Sequence, residues 1–292
     1  TVILNLTMGS LSMKDIKFLI LFLGLMKLIT SNEAFAQSGN TETFTGIEEI
    51  IVTARKKEEP LQETPVTITA LTDTKIQKLY ATDLKDLGMS VPNLLINTNA
   101  SGSFTNSAAV FMRGIGNSDI DSTIDPPIGI FLDGVYVPRS SNSNLDLFDV
   151  EQVEVLRGPQ GTLFGRNTTA GAIVVRSKRP TGEFGAKARL TMGDYGRRDL
   201  RVAVEAPLSD TVNAKISVLQ QKSDGFYKAR YQTHPDYSIP AQMSYNYEGD
   251  YEDTGGDDLF SVRPMLEFNP SETFKLTLIG EYSKDRSEPV PA

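Results

Sequence analysis

From residue 183 onward, apolar side chains recur at every second position, and that period constrains the fold more than any other feature of the chain. Ala186, Ala188, Leu190 and Met192 alternate with Lys187, Arg189 and Thr191. Leu200, Val202, Val204 and Ala206 alternate with Arg201, Ala203 and Glu205, and Val212, Ala214, Ile216 and Val218 with Asn213, Lys215, Ser217 and Leu219. Phe260, Val262, Leu266 and Phe268 share a face opposite Ser261, Arg263 and Glu267. Phe274, Leu276, Leu278 and Tyr282 share another, opposite Lys275, Thr277 and Glu281. A period of two is a β-strand with unlike faces. Five strands of roughly ten residues have the length that crosses a bilayer as tilted barrel strands. Pro207 to Asp210 and Asn269 to Glu272 read as tight turns, and 225–257 as a long acidic, Tyr-rich loop. Short turns on one side and long loops on the other fit a transmembrane barrel. A soluble β-sandwich with one wet face is the competing architecture.

Composition narrows the function. Mean hydropathy of −0.22 excludes a helical membrane protein but not a barrel, in which only every second residue is apolar. The chain of 292 residues has no Cys, which removes disulfides, Cys-based zinc sites, iron–sulfur clusters and thiol nucleophiles. A single His, His234, removes multi-His metal sites. A net charge of −8 argues against a general nucleic-acid binder, which needs a positive surface. No cofactor is expected.

Four segments follow along the chain. In residues 1–36, Lys14 and Lys17 precede an apolar run from Phe18 to Met26, with Met8 or Met13 as the start. The run is too short to span a bilayer and has signal-peptide length, and Ala34-Phe35-Ala36 supplies a small-x-small cleavage pattern. Export with cleavage after Ala36 is expected. Residues 37–59 read as a flexible lead with one extended, β-prone island from Glu48 to Arg55, apolar at Ile50, Ile51 and Val52 and including Glu49, Thr53 and Ala54. Such an island can add a strand to a partner's sheet, or be an edge strand of the domain that follows.

Residues 60–180 mix α and β signals. Val66, Ile68 and Ala70 alternate as a strand; Thr72 and Asp73 offer N-caps to a short helix with Ile76, Leu79 and Tyr80 on one face; Leu84 and Leu87 follow at helical spacing before Gly88 and Pro92. Val110 to Arg113 reads as a strand, and Ile128–Leu132, Asp133-Gly134 and Val135–Val137 as a hairpin, because Asp-Gly tolerates the positive φ of a two-residue turn. Gln152 to Leu156 and Ala172 to Val175 are two more strands. Residues 181–292 carry the alternating strands. Neither Val110 to Gly116 nor Arg157 to Asn167 completes a nucleotide fingerprint, and the loop at Asn117–Asp121 lacks the turn glycine and terminal Glu of a calcium site. Glu151 and Glu154 could suggest hydrolysis, but no sugar cleft accompanies them.

The combination resembles the TonB-dependent outer-membrane receptors. Glu49 to Ala54 looks like a TonB box, Met112 to Gly116 and Phe131 to Tyr136 match in type and order, and the most specific match is Asp149 to Ala172, DVEQVEVLRGPQGTLFGRNTTAGA. The resemblance implies a mixed α/β plug inside a barrel of about 22 strands, of which this chain carries the first five. It implies strand addition to TonB at the box, contact with outer-membrane lipid, and a small-molecule ligand. The base-rate ligand is a ferric siderophore; oligosaccharide, cobalamin or another organic nutrient is the alternative, as is a plug-like module that binds without transport. Phe104, Thr105, Asn106, Asn117 and Asp119 are expected at a ligand-facing apex. Arg113, Gly114, Asp133, Gly134, Arg166 and Asn167 are expected to shape or gate the plug. Glu151, Glu154 and Arg157 match the stretch that faces the barrel wall in ion pairs, and Gly158, Gly161 and Gly165 are expected to permit close packing. The end at Ser287–Ala292 reads as a truncation, since five strands leave unpaired edges.

Overall fold

A computed structural model describes residues 50–53, 56–98, 107–118, 124–138, 144–225, 227–230, 251–271 and 273–287. The proposed signal peptide, His234, and Glu49, Ala54, Phe104, Thr105, Asn106 and Asp119 lie outside the described residues.

The plug is built on a five-stranded sheet ordered β3-β9-β10-β7-β8, from β3 (Ile68–Thr72), β7 (Ile128–Leu132), β8 (Val135–Val137), β9 (Val150–Arg157) and β10 (Gly171–Ser177). Only β7 and β10 run parallel. One sheet face packs Leu71, Val153, Val155, Ile173 and Val175 against α1 (Asp73–Lys78), a 3₁₀ turn (Leu84–Met89), and a small sheet of β4 (Leu94–Asn97), β5 (Ala109–Met112) and β6 (Ile115–Gly116). The other face carries Phe131, Leu156, Ala172 and Val174, packed against Ile68, Tyr136 and Phe164.

The hairpin at Asp133-Gly134 is as expected, with φ of 51° and 86°, and Arg113-Gly114 makes a second turn of that kind at 51° and 80°. The helical reading is corrected in two places. Ile76 is buried, but Leu79 is 40% and Tyr80 88% exposed, because the helix ends at Lys78 and Tyr80 takes φ 54°. Leu84 and Leu87 are buried together because three-residue spacing aligns them in a 3₁₀ turn. Its start is fixed reciprocally: Asp83 caps the turn, and Asp86 Oδ2 accepts from the backbone N–H groups of Thr82 and Asp83.

The wall contains β11 (Gly185–Met192), β12 (Arg198–Ser209), β13 (Val212–Lys222), β16 (Asp258–Ser271), β17 (Phe274–Ile279) and β18 (Tyr282–Asp285), all antiparallel. From Leu259 to Phe268 β16 keeps one register with β18 and β17, whose ladder is split opposite Pro264, which has no N–H to give; the register then shifts between Phe268 and Ser271. β17 and β18 count as one strand, so the five expected strands are present, as an open sheet among the described residues. The strands outrun the expected turns. β12 reaches Ser209 through a register shift beside Pro207, and β16 reaches Ser271. Residues 225–257 are not all loop: β14 (Tyr227–Arg230) pairs β15 (Tyr251–Thr254) and lengthens the β13–β16 hairpin.

The polarity of this sheet is the reverse of a soluble protein's. Asp199, Arg201, Lys215 and Glu267 on one face are all at most 6% exposed. The opposite face exposes Leu190, Met192, Ile216, Leu266, Phe274, Leu276 and Leu278. An apolar outer band of this kind is stable against lipid hydrocarbon. Val202→Arg, on that band, should reduce assembly in bilayers by about 2–4 kcal/mol if it sits near the midplane. Urea titration of the folded protein in vesicles measures this, with Ala203→Ser on the inner face as a near-neutral comparison.

Candidate functional site

Two features of the plug carry the chemistry: its seam with the wall, and the cradle of the segment at 50–60.

The seam is formed by residues 144–149 and 177–178. Arg201 Nε donates to Asp146 Oδ2 at 2.7 Å and its Nη1 to Asp199 Oδ2 at 3.3 Å. Arg197 closes on Asp199 from the other side, at 2.9 and 3.0 Å. Asp149 receives Lys215 Nζ at 2.8 Å and Ser217 Oγ at 2.6 Å. Lys187 donates to the Phe148 carbonyl at 3.2 Å, and its ammonium lies over the Phe148 ring. Lys215 also donates to the Lys178 carbonyl, and Arg263 to Ser177 Oγ. These wall-facing acids, Asp146 and Asp149, were missed from the sequence. The signal was the row of inner-face cations at Lys187, Arg201 and Lys215, which needs anionic partners.

Glu154 is the main correction. It was expected at the barrel wall, but it is fully buried inside the plug and faces the N-terminal segment. The Thr53 N–H donates to Glu154 Oε1 at 2.8 Å, the Thr53 hydroxyl at 3.0 Å and Gln152 Nε2 at 3.1 Å. Gln152 also donates to the Ile51 carbonyl. β1 (Ile51–Val52) pairs antiparallel with β2 (Glu59–Pro60), the Leu61 N–H donates to the Ile50 carbonyl, and Val52 is completely buried. Over these residues the lead is docked rather than free. Burial raises the pKa of Glu154, opposed by the Thr53 hydrogen bonds, the Arg176 charge and Gln152.

The other expected site residues fall into place separately. Glu151 is half-exposed and pairs with Arg176 at 3.8 Å. Arg157 does not reach the described wall: it donates to Thr69 Oγ1 and to the Pro92 carbonyl. Its neighbour is Arg113, whose Nη1 would lie 3.4 Å from a Cβ on Gly158. Asp133 accepts from the Ser177 N–H and hydroxyl, at 2.9 and 2.7 Å, which ties the β7–β8 turn to the end of β10. Asn167, at φ 64°, donates to the Tyr136 hydroxyl, and Arg166 lies 4.0 Å from Asp125 at the surface. Gly158 and Gly165 are required by φ of 110° and 83°, not by close packing, since a Cβ on Gly161 or Gly165 would meet nothing within 4 Å. Asn117 is half-buried just past β6.

Two cavities touch the plug. One, of about 510 Å³, has Asp83, Lys85, Asn97, Arg197, Gln221 and Asp257 in its lining, at the end of the wall that leads into residues 231–250. The other, of about 480 Å³, lies beside Thr53 and the Asp133-Gly134 turn. Among the described residues, no group of three or more His, Cys, Asp or Glu side chains is arranged to hold a metal.

Residues 60–172 match the family model of the TonB-dependent receptor plug domain. Over these residues the chain is similar to the plug of the TonB-dependent receptors. The Catecholate siderophore receptor Fiu of Escherichia coli K12 is 30% identical over 165 residues, which is 56% of this chain and 20% of that one. The Vitamin B12 transporter BtuB of Vibrio vulnificus CMCP6 is 24% identical over 247 residues, 81% of this chain and 40% of that one. The chain thus spans a fifth to two fifths of the length of these relatives. In fold it is similar to the ferric yersiniabactin uptake receptor FyuA of Yersinia pestis, with a TM-score of 0.61 at 21% identity, covering 77% of this chain and 32% of that one. The mixed α/β plug followed by the first strands of an antiparallel barrel is the fold these receptors share with it.

The seam gives a direct expectation. Arg201→Leu leaves the half-buried Asp146 without its cation and the buried Asp199 with Arg197 alone, a loss of at most about 3–5 kcal/mol. Limited proteolysis of outer-membrane fractions should then cut the plug at protease levels the parent survives.

Proposed function

We propose that this protein serves in an outer-membrane receptor for active uptake of a scarce nutrient, in the first place a ferric siderophore. The plug gates the barrel, and Glu49 to Ala54 is the strand offered to TonB in the periplasm. The observation that carries the reading is the segment at Ile51–Thr53, held as an extended strand on Glu154 in a plug seated against a wall of inverted polarity. The outer membrane has no nucleotide supply, so uphill transport needs a mechanical coupling to another protein. A short strand held by a few hydrogen bonds is a handle that such a partner can take by β-augmentation.

The receptor is exported through the signal peptide cleaved after Ala36, and its short turns face the periplasm. Ligand arrives at the opposite end, where the cavity near Asp83 and Arg197 opens. Residues 99–107 and 115–127, with Phe104, Thr105, Asn106, Asn117 and Asp119, form the apex that meets it. The siderophore reading draws on the named roles of the relatives; a cobalamin ligand is the second reading, because the BtuB match spans most of this chain.

Radiolabelled uptake tests the ligand class. Cells carrying the gene should take up a ⁵⁵Fe-catecholate or ⁵⁵Fe-ferrioxamine, and lose that uptake when TonB is deleted; uptake of ⁵⁷Co-cobalamin alone would favour the second reading, and none would sink both. Docking can be tested separately. Because the chain has no Cys, a spin label at Ile51→Cys reports the box alone. Glu154→Ala should give a mobile spectrum without ligand, while the parent stays immobilised; an immobilised spectrum in the variant would remove Glu154 from the docking role.

A further inference from the structure

We propose that the cavity beside the docked strand receives an acidic segment with an apolar anchor, presented by the periplasmic protein that takes the strand. This rests on the strand-offering reading above and adds a charge-selected surface to it.

The cavity opens on the face of the central sheet that carries Glu154, Val174 and Arg176, and Thr53 forms part of its rim. Its floor is aromatic: Phe131 packs on Phe164 with ring centroids 4.9 Å apart. Around that floor stand Lys56, Lys57, Arg176 and Arg179, against only Glu58 and Asp133. This excess of cations stands out in a chain whose net charge is −8. The arginines are loosely held, each 3.8 Å from its carboxylate, Arg176 from Glu151 and Arg179 from Asp133. Among the described residues, Lys56 and Lys57 make no ion pair, and the Lys56 ammonium rests 5.7 Å from the centroid of the Phe164 ring.

Position makes the surface useful. Lys56 adopts φ 57° and its N–H donates to the Thr53 carbonyl at 2.7 Å, so the chain turns back over the cavity directly after the strand. A partner that adds a strand at Ile51–Thr53 is therefore brought against both lysines. Backbone pairing supplies affinity with little sequence preference. Complementary charge next to it steers encounter and rejects wrong partners, and an apolar side chain over Phe131 and Phe164 would anchor the contact.

The test uses the full-length receptor in detergent micelles and the immobilised periplasmic domain of TonB from the same organism, at low and high salt. The parent should bind with an affinity that falls as salt rises. Lys56→Glu with Lys57→Glu should weaken binding about tenfold at low salt and flatten the salt dependence. The Gln pair should fall between, and its normal insertion into the outer membrane controls for folding. Unchanged or tighter binding by the Glu pair would overturn the proposal. So would loss of binding to phosphatidylglycerol vesicles with TonB binding intact, which assigns the cations to lipid. Thr53→Pro, which removes a donor from the strand, reports on the underlying reading. If it binds like the parent, strand addition fails; if it alone loses binding, only the acidic docking surface fails.

Discussion

The buried charges between plug and wall are the constraint on which the rest depends. Asp199, Arg201 and Lys215 sit on a sheet face at most 6% exposed, where an unpaired ion would cost several kcal/mol. The plug removes that penalty by presenting Asp146, Asp149 and two backbone carbonyls at hydrogen-bond distance. The wall in turn can expose Leu190, Phe274 and Leu278 outward only because lipid accepts them. Each layer is thus the solvent of the next. Buried ion pairs add little net stability against apolar replacements, but losing one member is expensive. Such pairs therefore fix where the plug sits more than how firmly the whole molecule is folded.

The wall was legible because its signal is local. A period of two over ten residues needs no knowledge of neighbours, and all five strands were found with their faces correct. Asp-Gly at 133–134 was legible for the same reason: one dipeptide sets its own φ. What failed was whatever depends on distant partners. Glu154 contacts Thr53, 101 residues away, and its place in an alternating strand says only that it leaves one face, not what it meets there. The motif around it suggested the barrel wall; the acids that reach the wall are Asp146 and Asp149, in a stretch with no periodicity. Tyr80 was misplaced because helical spacing was extended past a residue that turns left-handed. The strands at 227–230 and 251–254 were hidden by a composition that suggests a loop, and they pair only with each other, beyond the end of the β13–β16 ladder.

The docked strand is balanced rather than locked. Val52 contributes about 1.5–3 kcal/mol of burial, and hydrogen bonds from Thr53 to a charged acceptor contribute about 1.5–3 kcal/mol each. A strand-adding partner replaces the backbone bonds but not the contacts of Val52 or the Thr53 hydroxyl, so release needs a further contribution. Glu154 indicates where it arises. Its Oε2 already has no partner in the docked state, and burial disfavours its charge. Removing Thr53 strips Oε1 of two donors and leaves Gln152 and the Arg176 charge as its remaining support. Arg176 stands two residues along the strand from Val174, the cross-strand partner of Glu154, and is only loosely engaged with Glu151. Turning Arg176 toward Glu154 would offset the lost bonds and withdraw a cation from the neighbouring cavity.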